Sequence, residues 1–177
     1  MGETAQGIIL RLTKLTETSL IVRWSSAEFG IIDTVAKGAR SLKSRFAGKI
    51  DLFFAAEFSW KAARRGKLHH LLECNVLDFR EGLRRDYTTM MLAGYCCGLI
   101  DQVSEPEHPQ EEMHDLLCRA LNHLQESGAS LRALRHFERE LARLQGVGRD
   151  RGEAFVELAD IGASLPQLRS DLMQRLR

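Results

Sequence analysis

The chain has 177 residues, 44 % apolar and 28 % charged, a make-up that excludes wholesale disorder and fits one sizeable domain or two small ones. Its 25 Lys and Arg nearly balance 24 Asp and Glu, yet the charge is unevenly spread. Residues 37–67 hold nine Lys or Arg against Asp51 and Glu57, whereas residues 101–115 hold six acids and no Lys or Arg. Such a split predicts one face for a polyanion and another turned to water or to a basic partner.

No charged N-terminal segment leads into a long apolar core, and no apolar run approaches a bilayer span, so neither export nor a membrane is expected. Met1-Gly2 begins like a myristoylation signal, but Gln6 stands where Ser or Thr is wanted. Cys74, Cys96, Cys97 and Cys118 form no C-x-x-C pair, which points away from a disulfide framework and towards a reducing cytoplasm.

The first part of the chain reads as β. Residues 7–15 (GIILRLTKL) and 20–25 (LIVRWS) are expected strands, followed after a turn at 27–30 by residues 31–36 (IIDTVA). A long basic loop then leads to a fourth strand over 51–60 (DLFFAAEFSW), a polar turn KAARRGK, and a fifth strand over 68–77 (LHHLLECNVL). Five sequentially connected strands in so short a stretch fit a small OB-type Greek-key barrel, and a sandwich fragment fits the pattern nearly as well.

The period changes near Asp78. Residues 80–103 are expected to form a helix with Leu83, Tyr87, Met90, Met91, Gly94 and Ile100 on its apolar side. Pro106 and Pro109 break it, and residues 111–125 form a second helix opened by acids. Ser130 is the expected N-cap of a third helix over 131–145, which ends at Gly146 and Gly148. A polar link at 148–152 and a short segment lead to a last helix over 165–176, with Pro166 in its first turn. The fold class expected is thus α+β: a five-stranded OB-type barrel at 1–79 followed by a small all-α domain at 80–177.

Two constellations could carry function. In the first, Lys37, Arg40, Lys43, Arg45 and Lys49 flank Gly38 and Gly48, whose backbone can approach phosphates closely, and Lys61, Arg64, Arg65 and Lys67 add a second basic turn expected to lie beside the first in space. Trp24, Phe29, Phe46 and Trp60 are candidate base stackers, although core packing is the better expectation for the two tryptophans. A solvated charge run is the bland account of the loop, but so many cations in two connections of one barrel favour a polyanion grip. In the second, Arg132, Arg135, Arg139 and Arg143 form a stripe on the third helix beside an apolar stripe of Leu131, Leu134, Phe137, Leu141 and Leu144. Guanidinium groups next to an apolar groove suit a peptide ending in a carboxylate; surface pairing with Glu138 or Glu140 is the alternative.

No nucleophile elbow, Walker loop or H-E-x-x-H pattern occurs, so no catalytic residues, cofactor or enzymatic activity are expected. Cys96-Cys97 read as buried structural thiols. His114 and Cys118, one helical turn apart, could both touch a metal, but two ligands without a second pair are a weak zinc case; exposed helix residues are the better expectation, and no metal is expected. His69 and His70 alternate across a strand and cannot serve one site together.

LTETSLIV (15–22), SAEFG (26–30), VAKGARSLKS (35–44), RFAGKIDLF (45–53) and LRHFERELARLQG (134–146) each resemble the corresponding segments of the RecO family. The resemblance covers the barrel continuously and the middle of the helical part more loosely. It implies a recombination mediator of bacterial DNA repair, cytoplasmic and nucleoid-associated. Such a protein binds single- and double-stranded DNA, the single-stranded-DNA-binding protein SSB and RecR, and promotes strand annealing and recombinase loading. In such proteins the helical domain receives the acidic, Phe-terminated SSB tail, and the LRxFE match makes Arg135 the leading candidate to meet it, with Arg132 and Arg139 beside it. Because the chain runs from Gly146 only to Arg177 with no cysteine there, a shortened member without the family's four-cysteine zinc module is expected. Three rivals remain on the residues alone: an adaptor that binds an acidic peptide and ignores DNA, a small enzyme using Cys and His, and an RNA-binding OB protein.

Overall fold

The structure, a computed structural model, describes residues 2–148 and 153–177. Among these, five strands close into a barrel: β1 (Glu3–Lys14), β2 (Leu20–Ser26), β3 (Gly30–Ala36), β4 (Ala55–Lys61) and β5 (Leu68–Asp78), in the order β1-β2-β3-β5-β4. The helices that follow are α1 (Tyr87–Val103), α2 (Glu111–Ser127), α3 (Leu131–Leu144), α4 (Ala154–Asp160) and α5 (Pro166–Arg175), with a 3-10 turn at Glu81–Arg84 before α1. The protein is an OB-type barrel followed by helices. Closure decides against a sandwich fragment, because the pairings β1–β2, β2–β3, β3–β5, β5–β4 and β4–β1 form a ring in which every strand has two neighbours.

The chain divides into two compact units, Met1–Phe79 with Glu105–Glu111, and Arg80–Ser104 with Glu112–Arg177. In the barrel unit the antiparallel register of β2 and β3 sets Leu20 against Ala36, while β3 and β5 run parallel with Val35 opposite His70. Inward alternation along the strands buries Ile9, Val22, Trp24, Ile32, Phe58 and Trp60. Trp24 stacks on Phe58 with ring centroids 4.0 Å apart, and its indole N–H donates to the Thr34 hydroxyl at 2.9 Å. The segment Glu105–Glu111 meets the start of β3: the Ile31 N–H donates to the Glu105 carbonyl and the Glu107 N–H to the Ile31 carbonyl. Gly30 permits this, since a Cβ there would sit 2.1 Å from the His108 carbonyl oxygen.

Two strand boundaries move for physical reasons. β1 begins at Glu3 because residues 3–6 pair with Ser59, Trp60 and their neighbours on β4, a partner invisible to local pattern. β4 begins at Ala55 and not at Asp51, because Phe53 adopts a left-handed conformation (φ 73°) that breaks the strand while burying its ring.

In the helical unit α1 is the most buried helix, with Leu92, Ala93, Tyr95, Cys96, Cys97, Leu99 and Ile100 inside. Of the expected apolar side, Leu83 and Ile100 are buried and Met91 and Gly94 partly buried, whereas Tyr87 and Met90 are exposed, and Arg175 lies over the Tyr87 ring at 5.0 Å. The expected single helix from Arg80 is two elements, since Arg80 is left-handed (φ 48°) and Asp86 restarts the chain as N-cap, accepting from the Thr89 N–H at 2.8 Å. Ser130 caps α3 as expected, accepting from the Ala133 N–H at 3.1 Å. Helix α4 was not anticipated; at seven residues it is too short to show a period. Of the expected link at 148–152, residues 149–152 lie outside the described residues.

Candidate nucleic-acid interface

The β3–β4 loop that carries Lys37, Arg40, Lys43, Arg45 and Lys49 is a built structure. It opens as a chain of tight turns, in which the Ala39, Ser41, Ser44, Ala47 and Lys49 N–H groups donate to the carbonyls of Ala36, Gly38, Ser41, Ser44 and Phe46. Its first part is tied to the β1–β2 turn, for the Arg40 N–H donates to the Thr18 carbonyl at 2.9 Å and its guanidinium to that of Glu17 at 3.2 Å. Its second part lies along β5, where Arg45 donates to the Leu71 carbonyl at 3.4 Å and the Cys74 thiol to that of Lys49 at 3.4 Å. Burial, opposed by the nearby Lys49, pushes the Cys74 thiol up to about 11, so this thiol is a neutral donor.

The side chain that fastens the loop is Phe46. It is buried among the barrel core residues, with the Arg45 guanidinium over its ring at 4.8 Å. Phe46 is therefore a plug and not a base stacker, and Trp24 and Trp60 are buried in the core, the expectation preferred for both. Phe29 packs edge-on against Trp60 with centroids 5.0 Å apart and is partly buried. The aromatic residues put forward as stackers thus build the barrel interior.

The cations themselves face water. Lys37, Arg40, Lys43, Arg45, Lys49, Lys61, Arg64, Arg65 and Lys67 are all exposed, and none forms an ion pair among the described residues. A cleft of about 310 Å³ lies between Arg45, Lys49 and the β5 residues Leu72, Cys74 and Asn75. Contrary to the expectation that the two basic segments lie side by side, the turn with Arg64, Arg65 and Lys67 stands apart from that cleft. It precedes Leu68, whereas the loop leaves after Ala36 and packs on β5 beyond Leu71, so the two basic segments leave the β3–β5 ladder in opposite directions. The turn is held by His69, whose Nδ1 accepts from the Ala63 N–H at 3.1 Å while Nε2 faces Glu107 at 3.4 Å. His70 points outward. This brace was not anticipated; the only signal was a buried-parity histidine beside the turn.

On α3, Arg132, Arg135 and Arg139 are exposed and form no ion pair among the described residues, while Arg143 pairs with Glu140 at 3.3 Å. Glu138 does not serve this stripe: it is buried and bound by Arg169 and Tyr95. A cavity of about 660 Å³ opens between α1, α2 and α3, with Leu92, Leu116 and Phe137 among its apolar walls and Arg132, His123 and His136 at its polar side. Of the three arginines singled out from sequence, Arg132 lines it; Arg135 and Arg139 do not. The spacing of His136 four residues after Arg132 was the missed signal.

Cys96 and Cys97 are buried and their thiols are pushed up by desolvation, Cys97 to about 12. Cys118 Sγ lies 3.4 Å from His114 Nε2. Among the described residues no group of three or more His, Cys, Asp or Glu could hold a metal, and no helix is long and apolar enough to cross a membrane.

The family described as "Recombination protein O N terminal" matches residues 1–80, and "Recombination protein O C terminal" matches residues 84–150. Among curated relatives, the DNA repair protein RecO of Syntrophus aciditrophicus is 29% identical over 141 residues, covering 80% of this chain and 54% of the relative. That of Syntrophotalea carbinolica is 29% identical over 143 residues, covering 81% and 55%. That of Listeria monocytogenes is 31% identical over 124 residues, covering 70% and 48%. The chain spans about half the length of the curated relatives it matches.

Proposed function

The chain belongs to the RecO family, and on that premise we propose that it acts in DNA repair as a DNA-binding mediator that performs no bond chemistry of its own. The observation that carries this reading is the row of exposed, unneutralised cations on a loop fastened to the barrel at Arg40, Phe46 and Lys49. Cations held on a fixed frame lose little entropy on meeting phosphates, and they lower the repulsion that opposes pairing of two strands. Binding of single- and double-stranded DNA and promotion of annealing follow from that chemistry. Lys37, Arg40, Lys43, Arg45 and Lys49 form the principal grip, with Arg64, Arg65 and Lys67 as a second contact.

The helical unit supplies a tether in this reading. The apolar cavity with Arg132 on its wall suits a short acidic peptide with an aromatic end, the chemistry of the SSB tail, and tethering raises the local concentration of the basic loop on coated DNA. RecR is the further partner the family implies. An adaptor that binds the peptide and ignores DNA is the second reading, favoured by the same cavity.

The deciding experiment is fluorescence anisotropy of a labelled single-stranded oligonucleotide across a salt series. If about five phosphates are neutralised, the log–log slope is near −3.5. Absence of binding at low salt would overturn the DNA reading and leave the peptide adaptor.

A further inference from the structure

Phosphate contacts hold a strand but do not touch its bases. With Trp24, Phe46 and Trp60 buried, the basic loop has no aromatic surface to offer a base. It does present one large apolar side chain. Leu42 is fully exposed, the most exposed of the large hydrophobic residues, and it stands between Arg40 and Lys43. Its place is fixed by the turns around it. The Ser41 N–H and hydroxyl both donate to the Gly38 carbonyl, at 3.0 and 2.9 Å, and the Ser44 N–H closes the 41–44 turn on the Ser41 carbonyl at 3.0 Å. Leu42 therefore sits at the apex of a hydrogen-bonded turn, with cations before and after it and no apolar neighbour of its own unit to cover it.

A leucine held in water by its own backbone frame gains only when something covers it. The charges around it decide what that is. An apolar protein surface would have to desolvate exposed cations on either side of the leucine, whereas nucleic acid offers phosphates at the cations and apolar base faces between them. Leucine lacks the flat ring needed to stack, but its branched end fits between adjacent bases as an inserted wedge.

We propose that Leu42 is the base-contacting wedge of this loop: the flanking cations hold the phosphates, and the leucine enters between two neighbouring bases and unstacks them. The inference rests on the phosphate-grip reading and adds to it a separate task, opening the stack so that bases are presented for pairing. Because Leu42 carries no charge and supports no packing within the barrel, its replacement leaves both the fold and the electrostatics in place.

The test uses the full chain with a single-stranded oligonucleotide carrying 2-aminopurine in a purine run, whose fluorescence rises when stacking is lost. The parent protein is expected to raise the signal about two-fold on binding. Leu42→Ser is expected to abolish the rise and bind about ten-fold more weakly with an unchanged salt slope, while Leu42→Met keeps both properties. If the parent binds with a steep slope but the signal stays flat, or if Leu42→Ser matches the parent, the wedge is overturned and the phosphate grip stands. That result would leave Leu42 to a protein partner. If the parent does not bind DNA at any salt, the grip and the wedge fall together.

Discussion

Arg169 forks onto Glu138, with Nε 2.6 Å from one carboxylate oxygen and Nη2 3.1 Å from the other. The carboxylate is buried, and the Tyr95 hydroxyl also donates to it at 2.7 Å. Burial and then the Glu138 charge raise the Tyr95 pKa, so the phenol stays a donor. Arg169 comes from α5 and stacks on Phe155 of α4 at 4.2 Å, so one buried acid on α3 gathers α1, α4 and α5. Removing Arg169 leaves an uncompensated buried charge. Arg169→Ala is expected to lower unfolding stability by about 3 kcal/mol, against about 1 kcal/mol for Tyr95→Phe. Urea titration of both variants checks the order; equal losses would mean that the fork is not the main support.

Asp86 offers a pH-dependent contribution of known sign. Its carboxylate accepts from the Thr89 hydroxyl at 2.6 Å and the Thr89 N–H at 2.8 Å, and these bonds hold its pKa below the ordinary value. A carboxyl depressed in the folded state contributes stability above its unfolded pKa and loses it as pH falls through the folded one. Asp86→Ala is expected to cost about 1 kcal/mol at neutral pH. That difference from the parent should shrink as pH falls below about 4, the ordinary carboxyl range, in paired thermal or urea unfolding series.

The four thiols should be separable by reactivity. Cys74, Cys96 and Cys97 are buried with pKa values raised by desolvation, whereas Cys118 is only half-buried, although burial raises its pKa too. Near pH 8 a disulfide-exchange reagent is expected to label Cys118 first and slowly, with the other three reacting only after denaturant is added. A fast-reacting thiol among the other three would revive the enzyme reading.

The barrel was legible in the sequence because β4 and β5 carry period-two burial, β1 to β3 are short apolar runs, and the turns between them carry Gly and polar residues, which local pattern reports directly. The errors fall where a distant partner decides. Residues 3–6 are a strand only because β4 lies beside them, and the left-handed, buried Phe53 holds the start of β4 back to Ala55. In the site, the identity of the cations was legible but their grouping was not. The parallel β3–β5 pairing parts the Arg64 turn from the Arg45 cleft, and parallel pairing leaves no mark at short range. Phe46 was misread for a related reason: an aromatic in a basic loop has the same composition whether it stacks on a base or plugs a core.

Within the loop, Lys43 and Arg45 are both exposed and neither bridges an acid among the described residues, although reversing Arg45 also gives up its bond to the Leu71 carbonyl and its place over the Phe46 ring. Each phosphate contact contributes about −0.7 to the single-strand salt slope. Lys43→Glu with Arg45→Glu is expected to move the slope from about −3.5 to about −2.1 and to abolish annealing, while circular dichroism stays that of the parent. Unchanged affinity in the double variant would remove this loop from the interface.

Arg132, Arg135 and Arg139 look equivalent in sequence but not in place. Arg132 lines the apolar cavity beside Phe137 and His136; Arg135 and Arg139 project from α3 outside it. A peptide whose aromatic end enters the cavity brings its carboxylate within reach of Arg132, and the other two then act only at long range through solvent, where charge is screened. With an acidic peptide ending in Phe, Arg132→Ala is expected to weaken binding about ten-fold and Arg135→Ala or Arg139→Ala less than three-fold, read by fluorescence anisotropy. Raising salt should erase the smaller effects first. Equal losses at all three would place the peptide along the arginine stripe instead of in the cavity, and would restore Arg135 as its principal contact.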